Sequence, residues 1–155
     1  IPLDVHLMIE KPERKLDTII DAGADIITIH QESTTRLYSC IEKIKSRGVK
    51  AGVVLSPATN EDTLKYVLDK IDMILLMTIN PGEAGPGFHE ELLTKIKNVR
   101  ELIGDRDIDL EVDGGIDNTN IAKCKEAGVN VFVSGGYVFK GDIAEKIKTL
   151  REALK

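Results

Sequence analysis

The chain has 155 residues, of which 42% are hydrophobic and 30% charged, and its formal net charge is −5. That length suits one domain, expected to span residues 1–155, and no apolar run approaches the roughly 20 residues of a membrane-spanning helix. An acidic balance without a basic stripe argues against nucleic acid or an anionic membrane as partner.

In chain order, short β-branched runs alternate with amphipathic segments. Residues 3–8 are expected as a strand, followed by a helix over 13–22 with Leu16, Ile19, Ile20 and Ala22 at a 3.6-residue period. A strand over 25–30 precedes a helix over 35–47. A strand over 50–55 precedes a helix over 61–69, and a strand over 73–78 precedes a helix over 90–103. In that last helix Leu92, Leu93, Ile96, Val99 and Ile103 form the apolar stripe. Strands at 108–113 and 130–133, with helices at 118–127 and 143–154, complete the pattern. Gly23, Gly48 and Gly128 each close a helix just before a strand, as repeated βα units of roughly 25 residues require.

About six βα units could form an open doubly wound sheet or part of a (β/α)8 barrel. Strands of an open parallel sheet, covered on both faces, read as almost continuously apolar. Here Asp4, His6 and Met8 alternate with Leu3, Val5 and Leu7, while Asp109, Glu111 and Asp113 alternate with Leu110 and Val112. Thr28 and His30 alternate with Ile27 and Ile29 in the same way. One apolar face towards helices and one polar face towards an interior favours a TIM barrel. The fold class expected is therefore α/β, a (β/α)8 barrel represented by six units and incomplete at its N-terminus, where the chain opens with Ile1 on an apolar stretch.

Three strands run into glycine-rich loops: Asn80-Pro81-Gly82-Glu83-Ala84-Gly85-Pro86-Gly87, Asp113-Gly114-Gly115 and Ser134-Gly135-Gly136. Such loops let backbone N–H groups approach an anion, and in barrels the loops after the last two strands are the usual phosphate site. Each could also be no more than a tight turn.

The motifs Asp4-Val5-His6-Leu7-Met8, Met77-Thr78-Ile79-Asn80-Pro81-Gly82 and Val112-Asp113-Gly114-Gly115-Ile116 together resemble the ribulose-phosphate 3-epimerases. The segments 22–30 and 127–136 extend that resemblance along the chain. The resemblance implies a cytoplasmic isomerase of carbohydrate metabolism, in the pentose phosphate pathway, that inverts C3 between D-ribulose 5-phosphate and D-xylulose 5-phosphate. It implies a divalent metal, zinc or iron foremost and manganese or cobalt also compatible, and two aspartates exchanging a proton through an enediolate. His6 would be a metal ligand, and Asp113 both a ligand and one acid/base group. Substrate contacts would come from His6, Met8, Met77, Gly82, Glu83, Ala84, Gly85, Gly114, Gly115, Gly135 and Gly136. The partner implied is a sugar phosphate, with a homo-oligomer left open.

Departures accompany these matches. The family's first two strands, which supply a substrate-binding Ser and another His, Asp and Met, have no counterpart here. Glu83 stands where the family has an aromatic residue, Pro86 where it has Gln, and Gly136 where it has Ser. His30, with Gln31 and Glu32 after it, reads as structural or as a support behind the ligands. His89 reads as the solvated start of a helix. Cys40 and Cys124, far apart and without a CxxC pattern, read as packed thiols of a reducing compartment, and no N-terminal stretch has the form of a secretory signal. Allulose 6-phosphate as substrate, or a non-catalytic phosphate-binding remnant of the barrel, are the alternatives.

Overall fold

The computed structural model describes residues 1–83 and 87–155. Six strands, β1 (Asp4–Leu7), β2 (Ile26–His30), β3 (Lys50–Leu55), β4 (Met73–Met77), β5 (Asp109–Asp113) and β6 (Val131–Val133), form one parallel sheet in sequence order. Helices α1 (Leu16–Asp21), α2 (Leu37–Ser46), α3 (Leu92–Ile103), α4 (Ile121–Glu126) and α5 (Ile143–Ala153) pack on one side of it. All six expected strands are present, each trimmed by at most a residue or two.

The strand alternation sorts two faces. Ile27, Ile29, Val53, Leu55, Ile74, Leu76, Leu110 and Val112 are buried in the main core with Leu16, Ile41, Ile44, Ile96 and Val99 from the helices. Val54, Leu75 and Met77 form a separate apolar cluster on the other face. The register lays this inner face out in rows. His6 pairs with Thr28, His30 with Val54, Val54 with Leu75, and Met77 with Asp113.

The sheet is strongly curved. Three strands separate β1 from β5, which in a flat sheet, at about 4.8 Å per strand, would hold them roughly 19 Å apart. Instead the His6 and Asp113 side chains approach to 3.6 Å across the concave face. This is a barrel wall of six strands rather than a flat doubly wound sheet.

Two helical expectations need correction. Residues 61–69 form two 3-10 segments, Glu61–Leu64 and Leu68–Lys70, not an α-helix. The Asn60 side chain accepts from the Asp62 N–H and starts the first segment, and Leu64, Val67 and Leu68 reach the core without a further turn. The segment over 13–22 divides at Lys15, so Pro12–Arg14 is 3-10 and α1 begins at Leu16. Ala22, expected on the core face, is the exposed C-cap. Gly23, Gly48 and Gly128 all adopt positive φ, as helix-closing glycines should.

Cys40 and Cys124 are buried free thiols, and burial pushes the Cys124 thiol up to about 11. His89 is half exposed and faces Glu91 at 3.5 Å, just ahead of α3. No helix among the described residues is long and apolar enough to cross a membrane.

Candidate active site

Strands β1, β2 and β5 bring their polar inner residues together. His6 Nδ1 lies 3.6 Å from Asp113 Oδ2, and both side chains are largely buried. On its other side, His6 Nε2 is 2.8 Å from His30 Nε2. The ring centroids are 4.9 Å apart at an interplanar angle of 24°, the arrangement of two imidazoles meeting edge to edge. His30 Nδ1 in turn faces Glu32 Oε2 at 3.3 Å.

Glu32 is itself anchored. Its Oε1 accepts from the Ser56 N–H at 2.9 Å and from the Thr59 hydroxyl. Burial works against its charge, but these hydrogen bonds outweigh it and hold its pKa below the usual carboxylate value. Burial first, and then His6, hold the His30 pKa below the ordinary imidazole value, against the opposing pull of Glu32. The loop that carries Ser56 and Thr59 is fastened from beneath. Lys95 Nζ donates to the carbonyls of Ser56 (2.8 Å), Pro57 (3.2 Å) and Thr59 (2.5 Å).

Lys95 was not among the candidates, although its position on the Leu92–Ile96–Val99 face of α3 was a signal. A lysine inside an apolar stripe needs polar partners below it.

Deeper on the concave face, Glu111 is buried and its Oε2 has no hydrogen-bond partner among the described residues; the same holds for Thr28 Oγ1. Burial first, then the neighbouring carboxylates Asp4, Asp113 and Asp109, push the Glu111 pKa up to about 8. It is thus mostly protonated at neutral pH, which spares the fold a buried unpaired charge. Asp4 is also raised by burial, with His6 opposing. Met77 walls this region together with Val54 and Leu75, whereas Met8 at the end of β1 is about half exposed.

The loops differ in how tightly they are packed. Gly114 and Gly115 have φ of +125° and +61°. A Cβ on Gly114 would lie 2.7 Å from both Ile79 Cγ1 and Thr78 Oγ1, and one on Gly115 would lie 2.7 Å from the Gly87 carbonyl oxygen. Thr78 donates from its N–H to the Asp113 carbonyl at 2.8 Å, and its hydroxyl also approaches the Gly114 carbonyl. These contacts lock the turn on which Asp113 sits. Gly135 and Gly136 instead open onto free space. In the third loop Gly82 is exposed and Asn80 Nδ2 donates to Glu83 Oε1 at 3.1 Å. Ala84, Gly85 and Pro86 lie outside the described residues.

His6 and Asp113 are therefore brought together, with Met77 beside Asp113 in the register. Among the described residues no three or more His, Cys, Asp or Glu side chains converge as a metal cage.

Comparison with known proteins agrees with this architecture. The sequence profile of the ribulose-phosphate 3 epimerase family matches residues 1–139. The chain is 44% identical to the chloroplastic ribulose-5-phosphate-3-epimerase of Arabidopsis thaliana over 97% of its own length and 56% of that protein's. It is 43% identical to the ribulose-phosphate 3-epimerase of Bacillus subtilis (strain 168), over 97% of this chain and 71% of that one. Among solved structures, 3-hexulose-6-phosphate synthase from Salmonella typhimurium superposes with a TM-score of 0.77 at 20% identity, covering 99% of this chain and 72% of that one. The chain thus spans a little over half of one relative and about seven-tenths of the other.

Proposed function

The chain belongs to the ribulose-phosphate 3-epimerase family, and from that premise we propose that it inverts C3 between D-ribulose 5-phosphate and D-xylulose 5-phosphate through an enediolate. The observation that carries the reading is the approach of His6 Nδ1 to Asp113 Oδ2 at 3.6 Å across the concave face. Two ligands on one tetrahedral ion, with bonds of about 2.0–2.2 Å, stand about 3.3–3.5 Å apart, so the pair fits a shared divalent ion. Imidazole and carboxylate suit zinc or iron, and manganese or cobalt by the same chemistry. When bound, such an ion supplies Lewis acidity, which polarises the substrate oxygens and acidifies the C3–H bond.

The protein's own residues account for the rest. His6 and Asp113 would hold the ion. Asp113, at the rim end of β5, would exchange the C3 proton on one face of the substrate. Inversion needs a second acid/base group on the other face. Met77, with Val54 and Leu75, presents an apolar floor that keeps water from the reacting carbon. Gly135 and Gly136, open to solvent, would accept the phosphate through backbone N–H groups, with Gly82 and Glu83 on the neighbouring loop. The packed Gly114 and Gly115 contribute by fixing the turn at Asp113.

The test is a coupled assay of xylulose 5-phosphate formation with allulose 6-phosphate as the competing substrate. In a chain that also carries the family's first two strands, Asp113→Asn is expected to reduce turnover by about 10²–10⁴-fold, the range of a lost acid/base group. His6→Ala is expected to lower bound metal by elemental analysis. Full activity in Asp113→Asn would overturn the mechanism, and a preference for the hexose phosphate would overturn the substrate.

A further inference from the structure

We propose that Lys95 is a positioning residue that sets the orientation of the His6 ring from outside the site, through the loop 56–59 and Glu32. The proposal rests on the reading of His6 as a metal ligand, and it concerns what holds that ligand in place.

Lys95 is a costly residue for its position. It lies on the buried face of α3 with Ile96, Val99 and Ile103, where an apolar side chain would fill the same space without desolvating an ammonium. Its Nζ instead meets three backbone carbonyls, those of Ser56, Pro57 and Thr59. An ammonium has three N–H donors, so three convergent acceptors use them all. What the buried charge provides in return is the shape of the loop. The Ser56 carbonyl also accepts from the Thr59 N–H at 3.0 Å, which closes a turn. Just beyond it, Asn98 Nδ2 of the same helix donates to Glu61 Oε1 at 2.7 Å. The turn is thus fastened to α3 at two points.

From this turn the contacts run inward. The Ser56 N–H and the Thr59 hydroxyl hold Glu32 Oε1, while Glu32 Oε2 lies 3.3 Å from His30 Nδ1. His30 Nε2 lies 2.8 Å from His6 Nε2. These are heavy-atom placements, and they hold whichever ring nitrogens carry the protons. A shift of Glu32 would let His30 tilt, and His6 would then be free to turn about its side-chain bonds. Such a turn carries Nδ1 away from the point 3.6 Å from Asp113 Oδ2. Supporting partners behind metal ligands typically change metal affinity by 10–100-fold.

The experiment compares Lys95→Met, which keeps the stem and removes the ammonium, with Thr59→Val, which removes one hold on Glu32. Three quantities are read: zinc affinity by titration, the through-space contact between the His6 and His30 rings by NMR on the metal-free protein, and the midpoint of chemical denaturation. Lys95→Met is expected to weaken the ring contact and to lower zinc affinity about tenfold or more. Thr59→Val should lower it by less, and the double variant should fall no further than Lys95→Met, since both act through Glu32. A lysine with a purely structural role would lower the denaturation midpoint and leave ring contact and zinc affinity of the folded variant unchanged, and that result overturns the proposal. Additive losses in the double variant overturn it too, because Lys95 would then act by another route. Lys95→Gln, whose amide can still donate to a carbonyl of the loop, replaces Lys95→Met if that variant does not fold, and is held to the same criteria. If His6→Ala leaves zinc affinity unchanged, the ligand reading falls instead, and the ring contact, read without metal, still decides the role of Lys95.

Discussion

Gly114 leaves no room for a methyl group. Its φ of +125° is unfavourable for any L-residue, and the Cβ would collide with Ile79 and Thr78 at 2.7 Å. Gly114→Ala is therefore expected to destabilise the fold by about 1–3 kcal/mol in chemical denaturation. Gly135→Ala, at a glycine with open space around it, should stay within about 0.5 kcal/mol. An equal cost at the two positions would mean that the turn is not locked as described. At this scale the placement of His6 and Asp113 on the concave face was legible, because alternation alone put both on the polar face of their strands. Lys95 was not, and Glu32 stood out only as part of the segment after His30, since the worth of each charge depends on a loop, 56–59, whose path no local pattern announces. The 3-10 turns of residues 61–69 were hidden for a related reason. Leu64, Val67 and Leu68 have helical spacing, and 3-10 turns satisfy the same burial.

Elements place these residues in relation to one another. The parallel strands run in sequence order, so the loops following β4, β5 and β6 lie side by side on one rim. That neighbourhood was legible from the alternation of strand and helix. The curvature that turns rim and wall into a concave site was inferred only from polar residues that had to face something. After β6 the Phe139 N–H donates to the Gly135 carbonyl at 3.1 Å, which bends the backbone into a single turn around Gly136. A carboxylate placed there would meet a phosphate dianion head-on. Gly136→Asp should weaken binding of ribulose 5-phosphate or inorganic phosphate by roughly tenfold or more, equivalent to at least about 1.4 kcal/mol, in calorimetric titration. Unchanged affinity in a folded variant would place the phosphate elsewhere.

Among the described residues, six strands make part of a barrel wall, and the pair proposed to hold the ion, His6 with Asp113, offers two donors. Closed zinc sites with four protein ligands are worth roughly 10–16 kcal/mol of binding. Two ligands should supply much less, so these 155 residues alone are expected to bind zinc at about micromolar Kd or weaker by titration. In the proposed mechanism Asp113 alone would remove the C3 proton but could not return one to the opposite face. Solvent exchange at C3 should therefore outlast net epimerisation in this chain, and ordinary turnover by the 155 residues would contradict the count of groups. The contact between His6 and Asp113 has one more consequence. It joins the first strand to the fifth, two points roughly a hundred residues apart on the chain, by spanning the hollow of the sheet. On the proposed reading, an ion seated there would act as a clasp across the curved sheet. Uncurling the wall would then mean surrendering the ion, so added metal should raise the temperature at which the arc opens.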